Sequence, residues 1–230
     1  MIVFNKIKSE LEKKRNLERA RINSRFFKTS KGEYGEGDIF LGLTVPEIRI
    51  IARKYANITF EDIEKLIYSK FHEYRLVALL ILVEKFKKTG GKKVVDFYLS
   101  HSKQVNNWDL VDLSAYKILG AYLFDKDKSI LYKFARSKNL WQRRIAIIST
   151  FYFINNDRFM ETLKISEILL SDEHELIHKA VGWMLREIGK KDPKIEEEFL
   201  RKHYKNMPRT MLRYAIEKFS EEKRRYYLKK

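Results

Sequence analysis

Ala78, Ala115, Ala146, Ala180 and Ala215 follow one another at intervals of 37, 31, 34 and 35 residues, each in a segment whose apolar residues recur at helical spacing. A repeat of that length is one helical hairpin, which cannot bury its apolar side alone and so must stack on the next. The chain therefore reads as all-α: a single α-solenoid of HEAT-like antiparallel helix pairs over residues 1–230. Within it, 1–28 form charged N-terminal helices, 29–43 a glycine-containing loop and 44–230 the helical repeats. No segment alternates apolar and polar residues as a half-buried strand would.

Several helix boundaries are written locally. Thr44-Val45-Pro46-Glu47 has the form of a capping box with proline in the first turn, and Thr59-Phe60-Glu61-Asp62 opens the next helix in a similar way. A long helix from His72 to Lys88 is stopped by Thr89-Gly90-Gly91, and a single helix is expected from Trp141 to Ile154. The loop from Lys28 to Asp38 is rich in glycine but lacks the Gly-Lys-Ser/Thr ending that holds phosphate and magnesium, so it reads as a hinge and not as a nucleotide cradle.

The balance of 48 Lys and Arg against 31 Asp and Glu gives a formal charge of +17, spread along the chain, and points to a polyanionic partner. Nucleic acid fits better than membrane, because the longest strongly apolar run, Leu76 to Val83, is far short of the ~20 residues that span a bilayer. The absence of cysteine excludes disulfides, thiolate zinc sites and a cysteine nucleophile. With no secretion signal at the start, the expectation is a cytoplasmic monomer. Near the register of the alanines fall Arg75, Arg143, Arg144, Lys179 and Arg213, so one helix layer is expected to carry a basic stripe along a concave face.

Chemistry is concentrated in the stretch from Val105 to Ala115. Asn106 or Asn107 is a natural N-cap, and Asp109 lies in the first turn, where helix physics alone explains a negative charge. Asp112 lies a turn further in, among Leu110, Val111, Leu113 and Ala115, where a charge is costly without a partner or a function. It shares a face with Trp108, four residues earlier. Trp141-Gln142-Arg143-Arg144 and Ala180-Val181-Gly182-Trp183-Met184-Leu185-Arg186-Glu187 lie on later inner helices. Arginines grip phosphates, aromatic rings pack on sugars or unstacked bases, and a carboxylate can stabilise a sugar turning positive. An ion pair with Arg143 or Arg144 is the competing reason for Asp112. A separate signal, His174-Glu175-Leu176-Ile177-His178 with Glu198 downstream, has the form of a zinc-peptidase motif. His174, however, lies at the very start of its helix, and no strand precedes it to hold a substrate.

Asn107 to Asp112, the Arg143-Arg144-Ile145-Ala146-Ile147 run, Ala180 to Glu187, and Gly35 to Glu47 together resemble the AlkD-type alkylpurine DNA glycosylases, over about Phe26 to Glu187. The resemblance implies a stack of HEAT-like repeats that removes cationic purines alkylated at N3 or N7 from double-stranded DNA, with no cofactor and no metal. It implies Asp112 as the catalytic carboxylate, Trp108 and Trp183 as the aromatic pair at the damaged nucleotide, and Arg144, with Arg143 beside it, as the phosphate contact. Related branches keep the fold and lose base excision, which makes a noncatalytic HEAT-repeat DNA-binding protein the alternative. The family's N-terminal aromatic has no assignable equivalent in Arg25-Phe26-Phe27-Lys28-Thr29.

Overall fold

The computed structural model describes residues 2–229; among them the regular structure is all helix, with no strand and one isolated bridge between Ile39 and Phe71. The described residues form two compact units, Met1–Ser114 and Ala115–Lys230.

In the first unit the helix His72–Thr89 is the axis, buried continuously from His72 to Val83. Such all-round burial needs neighbours on several sides, and Val45–Lys54, Phe60–Ile67 and Lys92–Ser100 supply them. The sequence signals are realised: Thr44 and Glu47 form the capping box, the Thr59 side chain accepts the Asp62 N–H, and Gly90 ends the long helix in the left-handed conformation. The segment 29–43 is tied down. The Glu73 carboxylate accepts three successive backbone N–H groups, from Leu41 at 2.8 Å, Gly42 at 2.7 Å and Leu43 at 3.3 Å. Gly42 has φ of +88° and lies so close to Asn16 that a Cβ would meet its carbonyl oxygen at 2.2 Å.

In the second unit Leu140–Ser149 packs on Ser129–Ala135 and on Glu175–Lys191, which in turn packs on Pro193–His203 and Arg209–Ala215. That is the hairpin stacking expected of the alanine period, and all five alanines are fully buried. Two helix contacts are close at glycine: a Cβ on Gly120 would meet the Ser149 carbonyl at 2.2 Å, and one on Gly182 the Met211 carbonyl at 2.4 Å. Gly120 closes a short π-helical segment, Tyr116–Gly120. The helix expected from Trp141 to Ile154 is two helices, Leu140–Ser149 and Phe151–Asn155. At the break the Thr150 hydroxyl bonds back to the Ile147 carbonyl at 2.7 Å, diverting a main-chain acceptor. A last helix, Glu221–Leu228, was not marked by periodicity; its start is set by the Ser220 side chain, which accepts the Lys223 N–H.

Candidate active site

The helix Trp108–Ala115 presents Trp108 and Asp112 one turn apart, both half-buried. Trp108 does not stand alone. Phe27 stacks on it at 5.1 Å between ring centroids and only 7° between planes, while Phe26 meets its edge at 5.9 Å and 78°. Phe27 is buried, whereas Phe26 is 64% exposed. Offset and edge-on arrangements of this kind suit the aromatic quadrupole and hold the rings in place. Phe26 and Phe27, to which the sequence reading assigned no role, thus both meet Trp108: one ring supports it from behind, and the other extends its surface into solvent. The Phe26-Phe27 dipeptide was visible, but which ring faced Trp108 depended on the phase at which the helix Leu17–Phe26 ends.

The residues flanking Trp108 are fixed by a buried polar hub. Asn107 Nδ2 donates to Asp38 Oδ2 at 3.2 Å, and its Oδ1 accepts the Trp108 N–H at 2.8 Å. Asp109 Oδ2 accepts from His72 Nε2 at 2.8 Å, and His72 Nδ1 donates to Asp38 Oδ2 at 3.2 Å. Arg75 completes the set, 2.6 Å from Asp38 Oδ1. Burial pushes the His72 imidazole down, but the Asp109 charge and the bonds to Asp109 and Asp38 outweigh it and lift its pKa to about 9. The ring is therefore an imidazolium at neutral pH, as donation to two carboxylates at once requires. Burial would raise the Asp38 carboxyl, yet His72, Arg75 and Asn107 hold it below the usual range. Asp109, read from sequence as a helix-dipole residue, does accept the Leu110 N–H at 2.8 Å, but its further role is as counter-ion to His72.

In the second unit Trp183 is half-buried, donates from Nε1 to Glu187 at 3.0 Å, and lies tilted against Phe151 at 5.6 Å. Arg144 is buried and donates to the Leu176 carbonyl at 2.5 Å. Arg143 pairs with Asp172 at 2.5 Å and reaches the Ser137 and Lys138 carbonyls, each at 3.0 Å. Lys179 pairs with Glu175 at 3.0 Å, and Arg213 is exposed. The two histidines of the peptidase-like motif are in structural use: His174 Nδ1 accepts the Leu176 N–H at 3.1 Å as the helix cap, and His178 Nε2 bonds to the Asp172 carbonyl. Among the described residues no three His, Cys, Asp or Glu side chains gather as a metal site, and no helix is long and apolar enough to cross a membrane.

The sequence profile of a family described as DNA alkylation repair enzyme matches residues 7–219. No curated protein is matched. Among solved structures, one described as a predicted DNA alkylation repair enzyme from Enterococcus faecalis is similar with a TM-score of 0.73 at 20% identity, covering 90% of this chain and 97% of that one. AlkD2 from Streptococcus mutans is similar with a TM-score of 0.56 at 21% identity, over 89% of this chain and 98% of that one. At these identities the likeness to solved structures speaks for the fold: stacked helical repeats.

Proposed function

Because the chain belongs to the DNA alkylation repair enzyme family, we propose that it hydrolyses the N-glycosidic bond of cationic N3- or N7-alkylated purines in double-stranded DNA, leaving an abasic site. The observation that supports this most is the half-buried face shared by Trp108 and Asp112, with Phe27 stacked behind the indole and Phe26 at its edge.

The chemistry asks little of the protein. Alkylation at N3 or N7 makes the purine a cation, so when the C1′–N bond breaks the base leaves neutral with the bonding electron pair and needs no proton. Positive charge then develops on the sugar. A carboxylate at Asp112 stabilises that oxocarbenium, and partial burial strengthens the attraction relative to water. Water adds to C1′ and gives up a proton, completing hydrolysis. The Trp108 plate, stiffened from behind, packs against the damaged nucleotide. Within the second unit, Trp183 is the candidate for a further aromatic contact and Arg143, Lys179 and Arg213 for phosphate contacts, while Arg144, buried on the Leu176 carbonyl, would have to give up that bond to reach a phosphate. Of these Arg213 is the exposed one; Lys179 and Arg143 would share or exchange their carboxylate partners on binding.

The test is release of free base from a duplex containing 7-methylguanine. Release faster than from a heat-only control supports excision. Tight binding with no release would identify a DNA-binding protein without catalysis. Asp112→Asn should keep DNA affinity and lose release, by about 100- to 1,000-fold if the carboxylate supplies the main transition-state charge.

A further inference from the structure

The hub behind Trp108 has no part in the chemistry just described, yet it gathers four buried charged side chains, Asp38, His72, Arg75 and Asp109, against the start of the helix that carries that chemistry. His72 is 2% exposed, so it cannot touch a substrate. Its two ring nitrogens reach carboxylates on two different segments: Asp38 in the segment 29–43, and Asp109 in the first turn of the Trp108 helix. Asp38 in turn holds Asn107. Both sequence neighbours of Trp108 are therefore anchored to one cation and its counter-ion. The same imidazole begins a column of rings: His72 on Phe40 at 4.6 Å, Phe40 on Phe27 at 4.9 Å, and Phe27 on Trp108 at 5.1 Å.

Close packing alone does not fix this column. A cavity of about 200 Å³, lined by Phe27, Phe40, His72 and Asp109 among others, lies alongside it. The three rings are more than nine-tenths buried, so only a small motion toward that space is open to them. What resists that motion is directional: the charge-assisted bonds on both imidazole nitrogens. Rotation of the first turn of Trp108–Ala115 about its axis would carry Trp108 and Asp112 with it, because they share a face. Displacements near 1 Å at a reacting centre cost about 100-fold in rate.

We propose that His72 is a positioning residue: by donating to Asp38 and Asp109 at once, it sets the rotation of the Trp108–Ala115 helix so that Trp108 and Asp112 meet the same nucleotide. As far as it concerns catalysis, this rests on the excision reading above. The charged groups facing the imidazolium are Asp109, Asp38 and Arg75, with Glu73 adjacent and occupied by the backbone N–H groups of 41–43.

The test compares the full chain with its His72→Gln variant in two measurements. Single-turnover release of 7-methylguanine should fall about 10- to 100-fold in the chemical step while DNA affinity stays within about twofold, since phosphate contacts lie elsewhere. A drop in affinity with an unchanged step, or no change in either, overturns the proposal. Hydrogen exchange is read in parallel: amides of 107–112 should exchange about tenfold faster in the variant, with those of the second unit unchanged. If the wild-type chain releases no base, the excision reading fails, and exchange alone decides the positioning role. If the variant does not fold, the wild-type chain is followed from pH 7 to 10. Protection of 107–112, corrected for the intrinsic base-catalysed rate, should drop as His72 loses its proton near pH 9, and a flat profile overturns the proposal.

Discussion

Two clusters of histidine, aspartate and arginine, one in each unit, use the same residue types to opposite effect. In the first, His72 sits between Asp38 and Asp109 with Arg75 behind, and is charged. In the second, His174 and His178 lie beside Asp172, which is already taken by Arg143. Burial pushes the His174 pKa down, Asp172 counters it only in part, and Arg143 and His178 push it further down. His174 is thus a neutral ring whose Nδ1 accepts a backbone N–H, while His72 is a cation that donates from both nitrogens. A carboxylate nearby does not charge a histidine; a carboxylate with no stronger cation competing for it does.

The two clusters should therefore fail differently. Asp38→Ala leaves His72 and Arg75 buried with one carboxylate between them, and urea unfolding should show a loss of about 3–5 kcal/mol. Arg143→Ala should cost less, about 1.5–3 kcal/mol, because Asp172 keeps a backbone partner in the His174 N–H at 2.9 Å and the arginine is partly solvated. Equal losses would erase the distinction. Acid and base should also separate them. The folded pKa of His72, about 9, lies above its unfolded value of 6.5, so its contribution is complete below 6.5 and is lost as the pH rises through 9. His174 is held below 6.5, so its contribution is present above 6.5 and is lost as the pH falls. Titrating the imidazole resonances by NMR reads both directly, and a His72 midpoint near 6.5 would break the comparison. The smallest effect on stability belongs to Phe26→Ala, within about 0.5 kcal/mol because the ring is exposed. If that ring packs on the nucleotide, the same change should weaken the binding of alkylated DNA by about tenfold.

What could be read ahead of the structure was local or periodic. The caps at Thr44 and Thr59 depend on residues three positions apart, and the buried alanines on a repeat that each hairpin restates. Trp108 and Asp112 were legible as a pair because helical spacing alone puts them on one face. The hub was not, since Asp38 lies in a stretch that reads as a loop and meets partners 34, 37 and 69 residues away in His72, Arg75 and Asn107. Nothing in a single sequence reports such distances. A trace was present in His72-Glu73, two polar residues opening a helix buried on all sides, and each proves to hold the segment 29–43 in place. Asp109 was explained too early: its position in the first turn was sufficient reason for a charge, which concealed a second reason.

The glycine crossings of the second unit distribute mutational freedom unevenly. Gly120 and Gly182 each lie against a main-chain carbonyl, that of Ser149 or of Met211. Every amino acid carries that oxygen, so the identity of residue 149 or 211 is not what brings the helices together. The constraint falls on the glycine alone, and the partner can change while the spacing between helices stays the same. A stack of repeats joined in this way can replace most of its side chains over time and still preserve the distances between the helices that carry its chemistry.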